Sequence, residues 1–199
     1  MMRRSACGSG FSLTAALTVI ALLATTACTR QSPPTAPSPF IPAASLQEIM
    51  NSQVDPAADF LWEAVSTEVT LEGTVEHRPQ TDAEWLELRH AAIRLAESAN
   101  LLVIDGRRVV AEGHTLEDAH VQGISPPEEI QRAIDANRPA FNAHARELHT
   151  AATLLLQAVD ARDVHALVEA GGQLDEVCEA CHLRYWYPNA PLPPELAQR

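Results

Sequence analysis

The sequence predicts an all-α protein, an antiparallel four-helix bundle, and three observations carry that expectation. Apolar residues recur at helical period along most of the chain after residue 44. Two S/T-x-x-E capping boxes, Ser45 to Glu48 and Thr81 to Glu84, open such stretches. The last helical stretches are separated by short connections, as bundle helices are.

The first helix is expected from Ser45, with Leu46, Ile49, Met50, Val54, Leu61, Trp62 and Val65 at helical spacing. Pro56 should kink or break it, with Asp55 available to cap a second piece. Residues 69–80 read as a loop, with a short hairpin around Gly73. Thr81 opens the second helix, whose stripe is Trp85, Leu88, Ala92, Leu95, Ala96, Ala99 and Leu102, and Asp105-Gly106 should stop it. Residues 107–123 carry no assignable pattern. Ser125 is expected to cap a third helix with proline in its first turn. Pro139 divides that helix into a short piece and a main one striped by Phe141, Ala145, Leu148, Ala152, Leu155 and Val159. Asp163 caps the last helix, in which Val164, Leu167, Ala170, Leu174, Val177, Cys178 and Cys181 should face inward.

Near the end of that last helix stands Cys178-Glu179-Ala180-Cys181-His182. C-x-x-C-H is the attachment signature of c-type haem. Two thiols add across the haem vinyl groups and the adjacent imidazole ligates the iron from one face. Positions i, i+3 and i+4 share one helical face, so Cys178, Cys181 and His182 can all meet one flat ligand. A thioredoxin-like dithiol needs a preceding strand in a βαβ pattern, and the sequence shows none. A structural zinc site needs four ligands. The other cysteines, Cys7 and Cys28, lie in the leader. One haem c, covalently bound, is the cofactor expected.

The N-terminus agrees with a cofactor attached outside the cytoplasm. Arg3 and Arg4 precede an apolar run from Phe11 to Ala24, which reads as a secretory signal over residues 1–27 and is too short for a spanning helix. Leu23-Ala24-Thr25-Thr26-Ala27-Cys28 looks like a bacterial lipobox, so Cys28 is the expected lipidation site, the alternative being ordinary cleavage near Ala27. Thr29 after it points toward the outer membrane. Residues 28–43 form a proline-rich tether that cannot build a core. Residues 44–199 form the folded domain with a proline-rich tail. The localisation expected is the bacterial periplasm, on a lipid anchor.

Removing a leader that carries Arg3 and Arg4 takes the formal net charge from −12 to −14, and the chain contains no lysine. Such a chain does not bind nucleic acid through phosphates. Anionic lipid repels it, so membrane contact must come from the anchor. A redox partner with a basic surface is the natural complement. The sequence shows no nucleophile–base pair, phosphate loop or second metal cluster, so no enzyme is expected.

Four helices with C-x-x-C-H at the end of the last resemble the class II c-type cytochromes, the cytochrome c-prime family, over roughly residues 44–187. The specific part is C-E-A-C-H-x-x-Y, with Tyr185 where the family often has an aromatic residue. The resemblance implies thioether bonds at Cys178 and Cys181 and proximal ligation by His182. Many relatives have arginine four residues after the histidine. Here that place is Trp186, with Arg184 two earlier, and the Tyr185 to Pro188 run and the longer loops also depart from the pattern. Relatives often dimerise through their first two helices, so a homodimer is a possible assembly.

The family divides by its sixth ligand. High-spin members leave the distal site open and bind gases such as nitric oxide and carbon monoxide. Low-spin members fill it with a methionine from the first helix and carry electrons. Met50 is the one methionine after the leader and lies on the first helix, so it is the expected second iron ligand, against the ordinary alternative of core packing. His90 is a weaker distal candidate. His77, His114, His120, His144, His149 and His165 read as surface residues. An electron carrier is thus expected, with a five-coordinate gas-binding protein as the alternative.

Overall fold

The computed structural model describes residues 39–71 and 73–190, which are mostly helical with one two-stranded sheet. The leader, Cys28, most of the tether and the last nine residues of the tail lie outside the described residues.

The first capping box forms as written. Ser45 Oγ accepts from the Glu48 N–H at 3.2 Å, and the Glu48 carboxylate accepts from the Ser45 N–H at 2.8 Å, opening α1 (Leu46–Ile49). The helix does not break before Pro56. It passes through a π-helical segment, Met50–Val54, straight into α2 (Asp55–Glu63). The Asp55 N–H donates to the Met50 carbonyl, five residues back, which resets the ladder. Pro56 therefore falls in the first turn of a new α ladder, a position helices tolerate for proline. Asp55 belongs to that turn and does not cap it.

A hairpin follows, β1 (Ser66–Thr70) paired antiparallel with β2 (Gly73–His77), Ser66 facing His77 and Thr70 facing Gly73. It starts earlier than the expected turn around Gly73. Val69 and Leu71 on it are fully solvent-facing, so it adds little to the core.

Helix α3 (Asp82–Leu102) is opened by the Thr81–Glu84 box and buries all seven residues of its expected stripe. It ends three residues before Asp105-Gly106, at the β-branched pair Val103-Ile104, which lowers helical preference. The connection 103–126 is irregular but tied down. Val109 and Leu116 are buried, and the N–H groups of Leu46 and Gln47 donate to the carbonyls of Arg108 and Val109 at 2.8 and 3.0 Å. Those two donors have no partner within α1, so the loop satisfies them. Arg107 is buried between the Leu101 carbonyl, 2.9 Å from Nε, and the Ala44 carbonyl.

Helix α4 (Pro127–Ala136) begins without a side-chain cap. Ser125, expected as that cap, is buried elsewhere, and its N–H donates to the Trp186 carbonyl at 2.7 Å. Asn137 then caps α5 (Arg138–Ala161), so Pro139 sits in a first turn rather than in an interior. Arg162 in the left-handed region ends α5, and Asp163 caps α6 (Val164–Tyr185) through the N–H groups of His165 and Ala166. The core lies where α3 packs on α5, α5 on α6 and α2 on α3.

Candidate functional site

The end of α6 and the start of the first helical stretch face one cavity of about 410 Å³, within the size range of cofactor sites, roughly 300–1,000 Å³. Cys178, Cys181 and His182 line it from α6, on one helical face. Met50, at the first position of the π-helical segment, lines it from the other wall together with Val54 and Ala58. Leu102 of α3 and Phe141, Ala145 and Leu148 of α5 add to the apolar lining, with Leu46, Trp62, Val177 and Trp186. The sequence-predicted residues within the described chain are thus brought together. Cys28 falls outside it.

Burial sets the chemistry of the three α6 groups. It pushes the Cys178 thiol up to about 11, aided by Asp175 and Asp55. It pushes Cys181 to about 12, with Cys178 and Glu147 adding and Arg184 opposing. Both thiols are free. Burial lowers the His182 imidazole, against the pull of Asp55 and Glu179. A neutral imidazole is the ligating form. Asp55, solvent-exposed at the cavity lining, is raised chiefly by desolvation of its carboxyl, while His182 pulls it down.

Aromatic side chains fix the end of α6. Tyr185 is buried, edge-on to Phe141 at 5.5 Å and to His144 at 5.9 Å. The rings of Trp186 and Tyr187 flank His182 at 5.9 and 6.1 Å. The Tyr187 hydroxyl donates to Glu179 Oε2 at 2.5 Å. Burial and that carboxylate raise the phenol well above its ordinary value.

His144 corrects the expectation of a surface residue. Its side chain is four-fifths buried and lines the cavity, with Nδ1 3.1 Å from Glu147 Oε2 but without hydrogen-bond geometry. The signal was present: position 144 lies three after Phe141 and four before Leu148, on the stripe itself. His90 is exposed beside Glu87 and does not line the cavity, consistent with an edge position. Asp55, Asp59, Asp175 and Glu179 also line it, and among the described residues no arginine does.

These residues fit a haem. Two thiols and an imidazole share one face, a thioether stands on the other wall, and the space between is mainly apolar. A helical protein that places C-x-x-C-H in this way is similar to the c-type cytochromes. The family model described as Cytochrome C' matches residues 109–186. That stretch, from the long connection to the residue after α6, belongs to the cytochrome c-prime family, the class II c-type cytochromes, whose cofactor is one covalent haem c. Its members are generally non-enzymatic haem proteins, typically periplasmic or extracellular. No curated protein and no solved structure matches the chain. Among the described residues no helix is long and apolar enough to cross a membrane.

Proposed function

We propose that this chain is a periplasm-facing, one-electron carrier, not an enzyme, with haem c held on the last helix of a four-helix bundle. In this reading Cys178 and Cys181 form the thioether bonds, His182 is the proximal ligand and Met50 the distal one. When bound, haem c supplies one iron that alternates between ferric and ferrous states. The protein residues do the rest. The cavity walls exclude water, α6 holds the imidazole neutral and oriented, and the Met50 thioether fills the remaining position, which favours a raised potential and little geometric change. The observation that carries the reading is that Met50 and His182 line one cavity from different walls.

The gas-binding alternative draws on the same lining. Val54, Ala58 and Leu102 are apolar, so a Met50 that only packs would leave a dry pocket suited to a diatomic ligand. The absorption spectrum of the purified ferric protein separates the two. Low-spin iron is expected, and high-spin iron that binds carbon monoxide freely once reduced overturns the electron-carrier assignment.

The anchor is part of the proposal. Lipidation at Cys28 would tether the domain to a membrane, the outer one favoured, through the proline-rich segment, leaving an acidic domain to meet a basic redox partner. Mass spectrometry of the mature N-terminus tests it: a lipid-modified Cys28 is expected, and an unmodified start elsewhere defeats it.

A further inference from the structure

We propose that the groove beside Trp62 is the docking face for a basic electron-accepting metalloprotein, and that the Trp62 indole is the contact through which an electron leaves the haem cavity. The proposal rests on the electron-carrier reading above.

Trp62 and Asp175 line the haem cavity and also a second, more open cavity of about 300 Å³ between α2 and α6. They are the partition between the buried site and the surface. The indole is held in place there: Nε1–H donates to the Gly171 carbonyl at 3.0 Å, joining residues 109 apart in sequence. Gly171 and Gly172 lie inside a 22-residue helix, where glycine is destabilising relative to alanine. Gly171 is explained by the indole, because a Cβ there would stand 3.3 Å from Trp62 Cδ1. Gly172 touches nothing within 4 Å of its absent Cβ, yet it lines the groove, so it keeps the groove floor bare.

The groove is otherwise walled by Leu61, Val65, Leu167 and Val168. Trp62 remains 38% exposed and Val168 53%. An exposed tryptophan among apolar neighbours is the composition of an interface centre. Charge selects the occupant. Asp175 lies on both cavities, Asp55, Asp59 and Glu179 on the inner one, and among the described residues no arginine lines either. A second copy of this acidic chain is repelled, as is an anionic lipid surface, whereas a lysine- or arginine-rich protein is attracted and steered. One electron passes from ferrous iron to the partner's oxidised metal centre. The iron becomes ferric, the partner centre is reduced by one electron, no bond forms or breaks, and the indole bridges without being oxidised.

The test uses the full holoprotein and a lysine-rich class I cytochrome c as probe. Titration of the ferrous protein with the ferrous probe should shift the Trp62 indole N–H resonance, assigned through Trp62→Phe, and added salt should reverse the shift. In stopped-flow mixing with the ferric probe, Trp62→Phe and Gly172→Leu should each slow transfer by about tenfold. Oxidation of the Gly172→Leu variant by ferricyanide, which needs no docked complex, should stay within about twofold of wild type. An indole resonance that does not move at saturating probe, or wild-type transfer rates in both variants, overturns the proposal. High-spin ferric iron in the wild-type protein sinks the electron-carrier reading instead, and the indole titration alone then decides the docking face.

Discussion

The two walls of the cavity are built on opposite principles. The α6 wall is an uninterrupted helix of 22 residues, capped by Asp163, and its cavity-lining Cys178, Cys181 and His182 follow the i, i+3, i+4 geometry of a regular ladder. The facing wall changes hydrogen-bond register within it: α1 gives way to a π-helical segment at Met50 and recovers an α ladder at Asp55. In the proposed reading, two thioether bonds and one ligand on the same helix demand regular geometry. The facing wall has to present one side chain at one depth, and a local change of register re-aims it without disturbing the helix on either side. The difference teaches that, in the proposed reading, holding the cofactor and choosing its sixth ligand are separate problems, given to separate backbones.

The largest effect should come from the regular wall. Replacing Cys178 and Cys181 by serine together should abolish covalent haem, so that acidified solvent strips the pigment from whatever protein retains it. Pigment that leaves the wild-type polypeptide just as freely would break the comparison outright.

On the irregular wall, Met50→Ala should leave attachment intact and change only the iron. The ferric spectrum should move from low-spin to high-spin, the potential should fall, and carbon monoxide should bind the ferrous form readily. An unchanged spectrum would reduce Met50 to packing.

Stability should divide along the same line. Leu174 on α6 is wholly buried, so Leu174→Ala should cost about 2–5 kcal/mol in urea unfolding. Val69 on β1 is 80% exposed, and Val69→Thr should stay within about 0.5 kcal/mol. Equal losses would mean that the hairpin is part of the core.

The smallest effect tests the two capping boxes. Main-chain N–H groups hold the Glu48 and Glu84 carboxyls below the ordinary value of 4.5, Ser45 for the first, Gln80 and Thr81 for the second. A carboxyl depressed in the folded state adds stability that is present above about pH 4.5 and is lost as pH falls through the folded value. Thr81→Ala should cost about 1 kcal/mol at neutral pH. Carrying Glu84→Gln as well should flatten the acid limb of the pH–stability profile, and an unaltered limb argues against the assignment.

What could be read from the sequence was what lies within one helical turn. The Thr81 box, the Asp163 cap and the C-x-x-C-H face are complete within three or four residues, and each forms as its spacing requires. What could not be read depends on distant partners. Nothing near Pro56 announces that a shifted register will absorb it. Ser125 looks like a cap until its N–H is needed by Trp186, 61 residues later. The 103–126 connection has no periodicity because its order comes from the bare N–H groups of α1. His144 departs from its surface expectation for a different cause. Its stripe position was visible, but histidine is at home on surfaces, and only the cavity distinguishes the two settings.

That connection has a consequence for how the domain comes apart. Through Arg108 and Val109 it is bonded to the first turn of α1, and through Ser125 to the residue that follows α6. One irregular segment therefore clasps the first and last helical turns of the domain. Fraying at either terminus must loosen the same clasp, so the weakest parts of most helical proteins are here made to share one fate. Amide exchange at Leu46 and at Ser125 should accordingly report a common opening event, and a single proteolytic cut between residues 110 and 120 should unlatch both walls at once.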